Sequence, residues 1–383
     1  MLNYNLYFKY INNLIKIFLK KMAFKIGIHH RHGKKNIFSV NQKNKSRHGT
    51  DSYYFLIFLK KYFYKKNIQI EELTLDQDIQ HEKYMDAIFF IDDPRPDELI
   101  NKYKIKTNLK LLLLRETIVT YPKLWKKEVM DKYDYILSYN DKLLKSIVDT
   151  KKIIKFLMPR NLTFDPKLFN VKKNKNFSMI SANKAYYSNQ DLINERNQVV
   201  DYFEKNYPNE LDLYGIDWDK YLFHKYKLIG RLLKYFFKIL LIKKKLKVHK
   251  GSVEDKLKTI SKYKFNFCYE NTKDFSGYIS EKIFDSFRSG SIPIYFGTND
   301  VEKYISKDLF IDANEFNNLT ELREYCNNLS LDEINKMSKD IKKFLRNKKN
   351  PFSTKLFTLT LYSFLIENFH NKYNNKQKND KNN

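Results

Sequence analysis

The amino-acid sequence predicts an α/β protein built from two units, each a parallel sheet with crossover helices. From Phe24 onward, short apolar runs of strand length alternate with longer amphipathic runs of helix length. The chain has 383 residues, enough for two domains, and a stretch at 158–175 that carries proline and lysine interrupts the alternation. The predicted division is an extension at 1–22, a first unit at 23–160, a linker at 161–175, a second unit at 176–350, a C-terminal helix at 351–370 and a disordered tail at 371–383.

The first unit is predicted to contain about five strands and one long helix. The helix, at 51–67, places Tyr54, Phe55, Phe58, Leu59 and Tyr62 on one face. The strands are short apolar runs at 24–28, 68–73, 87–91, 111–114 and 135–137.

The second unit repeats this alternation. Its predicted strands are 177–181, 211–214, 265–269 and 292–296, and its predicted helices are 191–207, 253–261, 281–288, 320–328 and 331–346.

Composition excludes several classes of protein. Lysine and arginine number 72 against 44 aspartate and glutamate, and the resulting charge of +28 favours polyanions, anionic lipid or phosphorylated substrates without choosing among them. The only two cysteines, Cys268 and Cys326, exclude a disulfide framework and a four-thiolate zinc site.

Two segments bear on membranes. Residues 1–22 mix asparagine and lysine into an apolar background without a cleavage site, so we expect a frayed or amphipathic extension, or an upstream start choice, rather than a signal peptide. Residues 221–249 interleave aromatic residues with lysine and arginine, which suits a helix lying on an anionic bilayer. The alternative is a partly buried helix with a lysine-rich solvent face. The expected location is peripheral to a membrane, on its cytoplasmic side if the source is prokaryotic.

Residues 265–297 carry the chemistry, because they parse as strand, polar loop, helix and strand. In an open parallel sheet the ligand crevice lies beyond the carboxyl ends of the strands. This places Glu270 and Asn271 at the crevice, with Tyr278 on the following loop. Asn271 could bond a sugar or a base, and Tyr278 could stack or donate a hydrogen bond.

Glu281 and Lys282 occupy the first turn of the next helix. A helix N-terminus presents free amides and a positive dipole end, and the Lys282 ammonium adds to both, so the pair suits a diphosphate and a ribose hydroxyl. Ordinary solvated helix charges are the alternative.

The run YKFNFCYEN…GYISEKIFDSFRSGSIPIYFG resembles the signature of family 10 glycosyltransferases, the α-1,3/4-fucosyltransferases. The resemblance covers about 177–345, although the loop 272–277 differs from some relatives. It implies a GT-B fold of two Rossmann-like domains facing a cleft, with GDP-fucose on the second unit and a glycan or lipid-linked glycan acceptor on the first. It also implies transfer with inversion and no metal or other cofactor.

The resemblance assigns donor-binding roles residue by residue. Asn271, Tyr278, Glu281 and Lys282 stand at donor-binding positions, and Arg196 resembles the arginine that pairs with the donor phosphates. Mere surface charge is the alternative for Arg196.

Inversion requires a base for the acceptor hydroxyl. Glu116, at the end of the apolar run LLLLRE, resembles the glutamate of the family strand. Many relatives have glycine before it, whereas Arg115 here could pair with Glu116 and hold it for binding instead. Asp92 and Asp93 are the substitutes, although an Asp-Asp-Pro sequence more often caps a turn.

Two other groups of polar residues are weaker candidates. Asp217 and Asp219 form a D-x-D sequence that other transferases use for a divalent ion, but this pattern often occurs by chance, and we expect no metal. His29, His30 and His32 could line the acceptor side of the cleft, but a solvated turn is the preferred interpretation.

Three other functions compete with fucosyl transfer. A GT-B transferase using another GDP- or UDP-sugar is the runner-up. A non-enzymatic protein of the membrane surface would not need Asn271, Glu281 and Lys282. A nucleic-acid-binding protein would explain the charge, but no zinc-finger, RNP or helix-turn-helix signature accompanies it, so we expect no nucleic-acid partner.

Overall fold

The computed structural model describes residues 24–31, 37–38, 54–74, 82–184, 190–220, 244–273 and 275–382, with side chains described up to residue 370. Within these residues the chain forms two large parallel sheets. The extension at 1–22 and residues 221–243 of the basic stretch lie outside the described residues.

The first sheet is built from the chain up to residue 155. The described strands there are β1 (Phe24–His30), β2 (Ile68–Leu73), β3 (Lys83–Met85), β4 (Ala87–Ile91), β5 (Ile105–Thr107), β6 (Lys110–Leu114), β7 (Tyr135–Ser138) and β8 (Ile153–Lys155). Six of them pair in the order β2-β1-β4-β6-β7-β8, and β3 pairs with β5. The sequence pattern misses β3, β5 and β8, since three residues are too few to show a period.

Helices α1 (Tyr54–Tyr64), α2 (Pro96–Lys102), α3 (Lys127–Met130) and α4 (Asp141–Lys145) flank this sheet. Helix α1 confirms the predicted helix, but its buried residues are Phe55, Leu56, Leu59 and Phe63. The predicted face is therefore rotated, because apolar residues surround most of this helix and leave its period ambiguous.

The second sheet has five described strands in the order β10-β9-β11-β12-β13. They are β9 (Lys175–Ile180), β10 (Leu211–Tyr214), β11 (Tyr263–Tyr269), β12 (Ile292–Phe296) and β13 (Ile311–Asp312). Its helices are α5 (Pro166–Phe169), α6 (Ile193–Asn206), α7 (Lys256–Ile260), α8 (Glu281–Arg288), α9 (Leu319–Asn328) and α10 (Leu331–Arg346). The strand order reverses between β9 and β11, and a crevice forms at such a switch point in open α/β sheets.

The predicted linker at 161–175 is packed against the second sheet's helices. Phe169 is buried in the same cluster as Phe284 and Phe287 of α8. The Lys173 ammonium donates to the carbonyls of Phe169, Val171, Ser261 and Ser289 at 3.2–3.4 Å. Burial lowers the pKa of Lys173 to about 8. The segment is therefore docked rather than a free tether.

The last helix, α11 (Thr354–Asn382), returns to the first sheet. Leu361, Leu365 and Phe369 join its core, and the Phe369 ring stacks on Phe24 at 4.5 Å. The helix continues past the predicted end at 370. Residues 371–382, predicted to be disordered, are therefore helical. No proline or glycine occurs between 354 and 382 to stop it.

The chain crosses between the sheets twice, and the two crossings lie side by side. Arg160 pairs with Ser353, and its amide donates to the Phe352 carbonyl at 2.8 Å. The Thr354 hydroxyl donates to the Arg160 carbonyl at 3.2 Å. In the described part of the chain, no helix is both long and apolar enough to span a bilayer.

Candidate active site

A buried ion pair stands beyond the carboxyl end of β11. Glu270 has no exposed surface, and its carboxylate accepts hydrogen bonds from the Ser280 amide at 2.7 Å and from the Lys282 ammonium at 3.1 Å. The Ser280 hydroxyl lies 3.1 Å from the same ammonium. A buried charge requires such partners. Glu270 therefore fixes Lys282 at the start of α8.

The first turn of α8 combines free amides with a second ion pair. Ser280 caps the helix. Lys256, on α7, lies 3.7 Å from the Glu281 carboxylate and 2.5 Å from Asp285. Burial tends to raise the pKa of Glu281, but the charges of Lys256 and Lys282 lower it overall. Glu281 is thus an ionised acceptor at neutral pH, beside a positive helix end.

Arg196 is buried, at 3% exposed, so the alternative of a surface charge is wrong. Its guanidinium donates to the Tyr269 carbonyl and to the Asn271 side-chain oxygen, both at 2.9 Å, and to the Glu270 carbonyl. Arg196 thereby holds the carboxyl end of β11. The predicted contact with donor phosphates remains a prediction.

Asn271 and Tyr278 meet on the loop before α8, where the Asn271 amide donates to the Tyr278 hydroxyl at 3.4 Å. The Tyr278 ring packs against Tyr139 at 5.7 Å and against Phe275 at 6.4 Å. Burial raises the pKa of Tyr278 well above its usual value, so the phenol stays protonated. Because the ring is already packed, its hydroxyl is the better candidate for a ligand contact than its face.

Glu116 follows β6 in the first sheet, with a side chain one third exposed. Burial and the negative charge of Asp92 raise its pKa, and the charges of Arg115 and Arg31 oppose this. Arg31 lies 3.9 Å from the Glu116 carboxylate. Arg115 instead binds Asp92, with its Nε atom 3.0 Å from the carboxylate. Arg115 therefore pairs with Asp92, and its charge also acts on Glu116.

The two substitute bases have structural partners. Asp93 is completely buried, 3.2 Å from His29 and 3.0 Å from Arg95. Asp92 is 1% exposed and accepts hydrogen bonds from the amides of Arg115 at 2.7 Å and Glu116 at 3.1 Å. Asp92 thus positions the loop that carries Glu116.

His29 and His30 do not lie in a solvated turn. His29 and His30 lie at the end of β1 and are 0% and 5% exposed, whereas His32 lies outside the described residues. Strand β1 extends two residues beyond its predicted end and carries both rings into the core.

The D-x-D sequence lies in a packed turn. Trp218 is buried between the two aspartates and donates to the Ser181 carbonyl at 2.6 Å, while Lys220 pairs with Asp217. Among the residues that the structure describes, no group of three His, Cys, Asp or Glu side chains is arranged to hold a metal ion.

Lys184 is a candidate that the sequence analysis missed. It lies on the loop after β9, at the switch point of the second sheet. Lys184 is exposed, yet desolvation by the surrounding protein lowers its pKa, and the charges of Glu116, Lys282, Arg196 and Glu281 act on it as well. One lysine therefore feels charges from both sheets. Its place after a central strand is the signal that could have identified it.

Comparisons with known proteins show which family and which fold the chain resembles. Residues 172–350 match the family model described as glycosyltransferase family 10 (fucosyltransferase) C-term. The alpha-(1,3)-fucosyltransferase FucT of Helicobacter pylori is 40% identical over 74 residues, 19% of this chain and 15% of the relative. An alpha-(1,4)-fucosyltransferase of Arabidopsis thaliana is 37% identical over 75 residues, 20% of this chain and 18% of the relative. The chain therefore aligns with less than a fifth of the length of either relative.

Solved structures resemble the chain over most of its length. A crystal structure of an alpha1,3-fucosyltransferase with GDP gives a TM-score of 0.50 at 14% identity, covering 91% of this chain and 92% of that one. A sucrose-phosphate synthase from Thermosynechococcus elongatus gives 0.55 at 9% identity, covering 91% and 99%. An alpha-glucosyltransferase in complex with UDP-glucose and DNA gives 0.53 at 12% identity, covering 90% and 100%. The chain has the GT-B fold.

Proposed function

Because residues 172–350 belong to glycosyltransferase family 10, we propose that the whole chain transfers fucose from GDP-fucose to a glycan hydroxyl, with inversion at the anomeric carbon. The observation that carries the proposal is the α8 N-terminus. There, the Lys282 ammonium is held 3.1 Å from the buried carboxylate of Glu270, in the first turn of the helix, where the backbone amides are free.

The donor would lie across the carboxyl ends of β9 and β11. Lys282 and the α8 amides suit the diphosphate, since both supply positive charge without moving. The ionised Glu281 suits a pair of ribose hydroxyls as a hydrogen-bond acceptor. The Asn271 amide and the Tyr278 hydroxyl supply further neutral hydrogen bonds.

The reaction requires a proton acceptor and a stabilised leaving group. Glu116 would take the proton of the acceptor hydroxyl as the oxygen attacks the anomeric carbon and the bond to the GDP oxygen breaks. The pKa of Glu116 is raised, which makes the carboxylate a better base than a solvated one. The negative charge that develops on the diphosphate would be stabilised by Lys282 and the helix amides.

Lys282→Ala tests the donor site. We expect the affinity for GDP to fall about tenfold or more, because a charge-assisted bond contributes roughly 1.5 to 3 kcal/mol. Isothermal titration with GDP measures this, and Lys264→Ala, an exposed lysine on β11, is the matched control. Unchanged affinity in a folded Lys282→Ala variant would remove Lys282 from the donor site.

A donor panel tests the sugar. Wild-type protein is incubated separately with GDP-fucose, GDP-mannose and UDP-glucose, and nucleotide release is followed with and without glycan acceptors. A fucosyltransferase should turn over GDP-fucose alone. Preferential turnover of either other donor would support the runner-up, a GT-B transferase for another sugar.

We further propose that the protein attaches peripherally to an anionic membrane through residues 221–249, on the cytoplasmic side if the source is prokaryotic, and acts there on a lipid-linked glycan. The proposal rests on the aromatic and basic sequence of that segment and on the charge of +28.

Co-sedimentation with phosphatidylglycerol vesicles tests the attachment at low and high salt. Replacing Lys243, Lys244 and Lys245 by glutamine should weaken binding more than the same change at Lys336, Lys339 and Lys343, which lie on α10. Equal losses would attribute binding to net charge instead of to this segment.

A further inference from the structure

The loop between β11 and α8, residues 270–280, is the donor loop. Four aromatic side chains join it to the first sheet, and we call them the aromatic junction: Trp125, Tyr139, Phe275 and Tyr278. Phe275 comes from the loop of the second unit, yet it is 4% exposed and buried in a cluster of the first unit. Its ring lies edge-on to Trp125 at 5.1 Å and to Tyr139 at 6.0 Å. Such pairs stabilise a contact beyond their buried area.

The two first-unit members of the junction hold the chain that carries Glu116. The Trp125 indole N–H donates to the Glu116 carbonyl at 3.1 Å. The Tyr139 hydroxyl donates to the Arg115 carbonyl, also at 3.1 Å. Two consecutive carbonyls are therefore fixed by side chains whose rings rest on the donor loop.

The donor loop itself is anchored. Asp300 accepts hydrogen bonds from the Ser276 hydroxyl at 2.6 Å and from the Gly277 amide at 2.9 Å. Gly277 has φ +73°, and a Cβ there would lie 2.9 Å from the Tyr139 carbonyl oxygen. The loop thus approaches the first sheet closely, at a position that only glycine fits without strain.

We propose that the aromatic junction positions Glu116 relative to the donor. In this proposal Trp125 and Tyr139 are positioning residues, which act through their hydrogen bonds to the main chain of residues 115 and 116. This inference rests on the proposed function, in which the donor binds beside Asn271 and Lys282. The same loop carries Asn271 and Phe275. The contact of Phe275 with the first sheet therefore fixes the position of the donor pocket relative to Glu116.

A displaced base slows the chemical step without weakening donor binding, since misplacement by about 1 Å can cost a factor of about 100. A purely structural contact would instead lower thermal stability and leave the turnover of folded protein unchanged. The two roles therefore predict different measurements.

Trp125→Phe removes the indole N–H and leaves a smaller aromatic ring, whereas Tyr139→Phe removes the hydroxyl and keeps the ring, so each variant loses one hydrogen bond. The matched control is Tyr133→Phe: Tyr133 is 1% exposed in the same cluster, and its hydroxyl donates to the Asp93 carbonyl, not to the carbonyls of residues 115 and 116. For each variant, kcat, the dissociation constant for GDP and the melting temperature are measured. We expect kcat to fall about tenfold in the two test variants, with GDP affinity within twofold of wild type, and to change little in Tyr133→Phe.

Hydrogen–deuterium exchange gives a readout that needs no acceptor. In Trp125→Phe, amides of 115–120 should exchange faster, whereas amides of β11 should not, and Tyr133→Phe should leave both unchanged. The proposal is overturned if both test variants keep wild-type kcat and exchange, or lose no more than the control. Failure of the wild type to bind GDP or to use GDP-fucose would instead contradict the proposed function.

Discussion

At the scale of single residues, the pKa of Glu116 is set by burial and by charges of both signs. Burial and Asp92 raise its pKa, while Arg115 and Arg31 lower it. A base acts only when deprotonated, so activity should rise with pH as Glu116 loses its proton. A solvated glutamate has a pKa of about 4.3. Because the pKa of Glu116 is raised, the rise in activity should occur at a higher pH than this value.

Arg31→Met should move the acid limb of the kcat/KM profile to higher pH. Removing a positive charge 3.9 Å from the carboxylate disfavours its ionised form. Arg31→Lys keeps the charge and should leave the limb closer to wild type. If the limb stayed in place in Arg31→Met, Glu116 would not be the group that titrates.

Sequence alone could place Glu116 after a strand and Glu281 at the start of a helix, because the patterns of both elements are clear. It could not identify the partner of Arg115. Asp92 lies on the neighbouring strand end, and the contact exists only because β4 and β6 pair in one register. The place of Lys184 after a strand could be predicted, but the charges that act on it come from both sheets and could not.

At the scale of elements, α11 shows the limits of a periodic pattern. The pattern predicts an apolar helix in this part of the chain, and the structure confirms one at Thr354–Asn382. Its apolar stripe carries no information about which sheet it covers. Contacts with Phe24 and Phe55 decide that, and those residues lie at the other end of the chain.

Leu365→Ala should destabilise the protein by about 2–5 kcal/mol, because the side chain has no exposed surface and its loss leaves a cavity. Leu356→Ala, on the same helix but 44% exposed, should have a much smaller effect. Urea unfolding followed by circular dichroism compares them. Similar losses in the two variants would mean that α11 does not pack on the first sheet as described.

At the scale of the whole molecule, acid should destabilise the fold. Burial opposes ionisation of Asp93, but hydrogen bonds from His29 and Arg95 lower its pKa overall. The carboxyls of Asp212 and Asp300 also have lowered pKa values, for burial is outweighed by their partners. Such groups stabilise the protein above their unfolded pKa, and this contribution is lost as pH falls through the folded value. Protonation also adds to a charge that is already +28.

Melting temperatures at pH 7, 5 and 3 measure this loss, which should be largest between pH 5 and 3. Asp93→Asn should melt at a lower temperature at pH 7 and lose less on acidification, since its ionisable group is gone. Equal pH dependence in the two proteins would show that Asp93 does not contribute to acid sensitivity.

The two-sheet plan could be predicted from the sequence because alternating apolar runs report strands and helices locally. How the sheets meet could not be predicted. Phe275 has the pattern of an ordinary loop residue, and only the fold places it against Trp125.

The packing of α11 on the first sheet also affects the order in which the protein can fold during translation. A ribosome releases β1 to β8 early, but Leu361, Leu365 and Phe369 leave the exit tunnel only after every strand of the second sheet. Until then, the apolar surface of the first half that α11 covers stays exposed on the nascent chain. Chaperone demand during translation should consequently fall on the half that is made first.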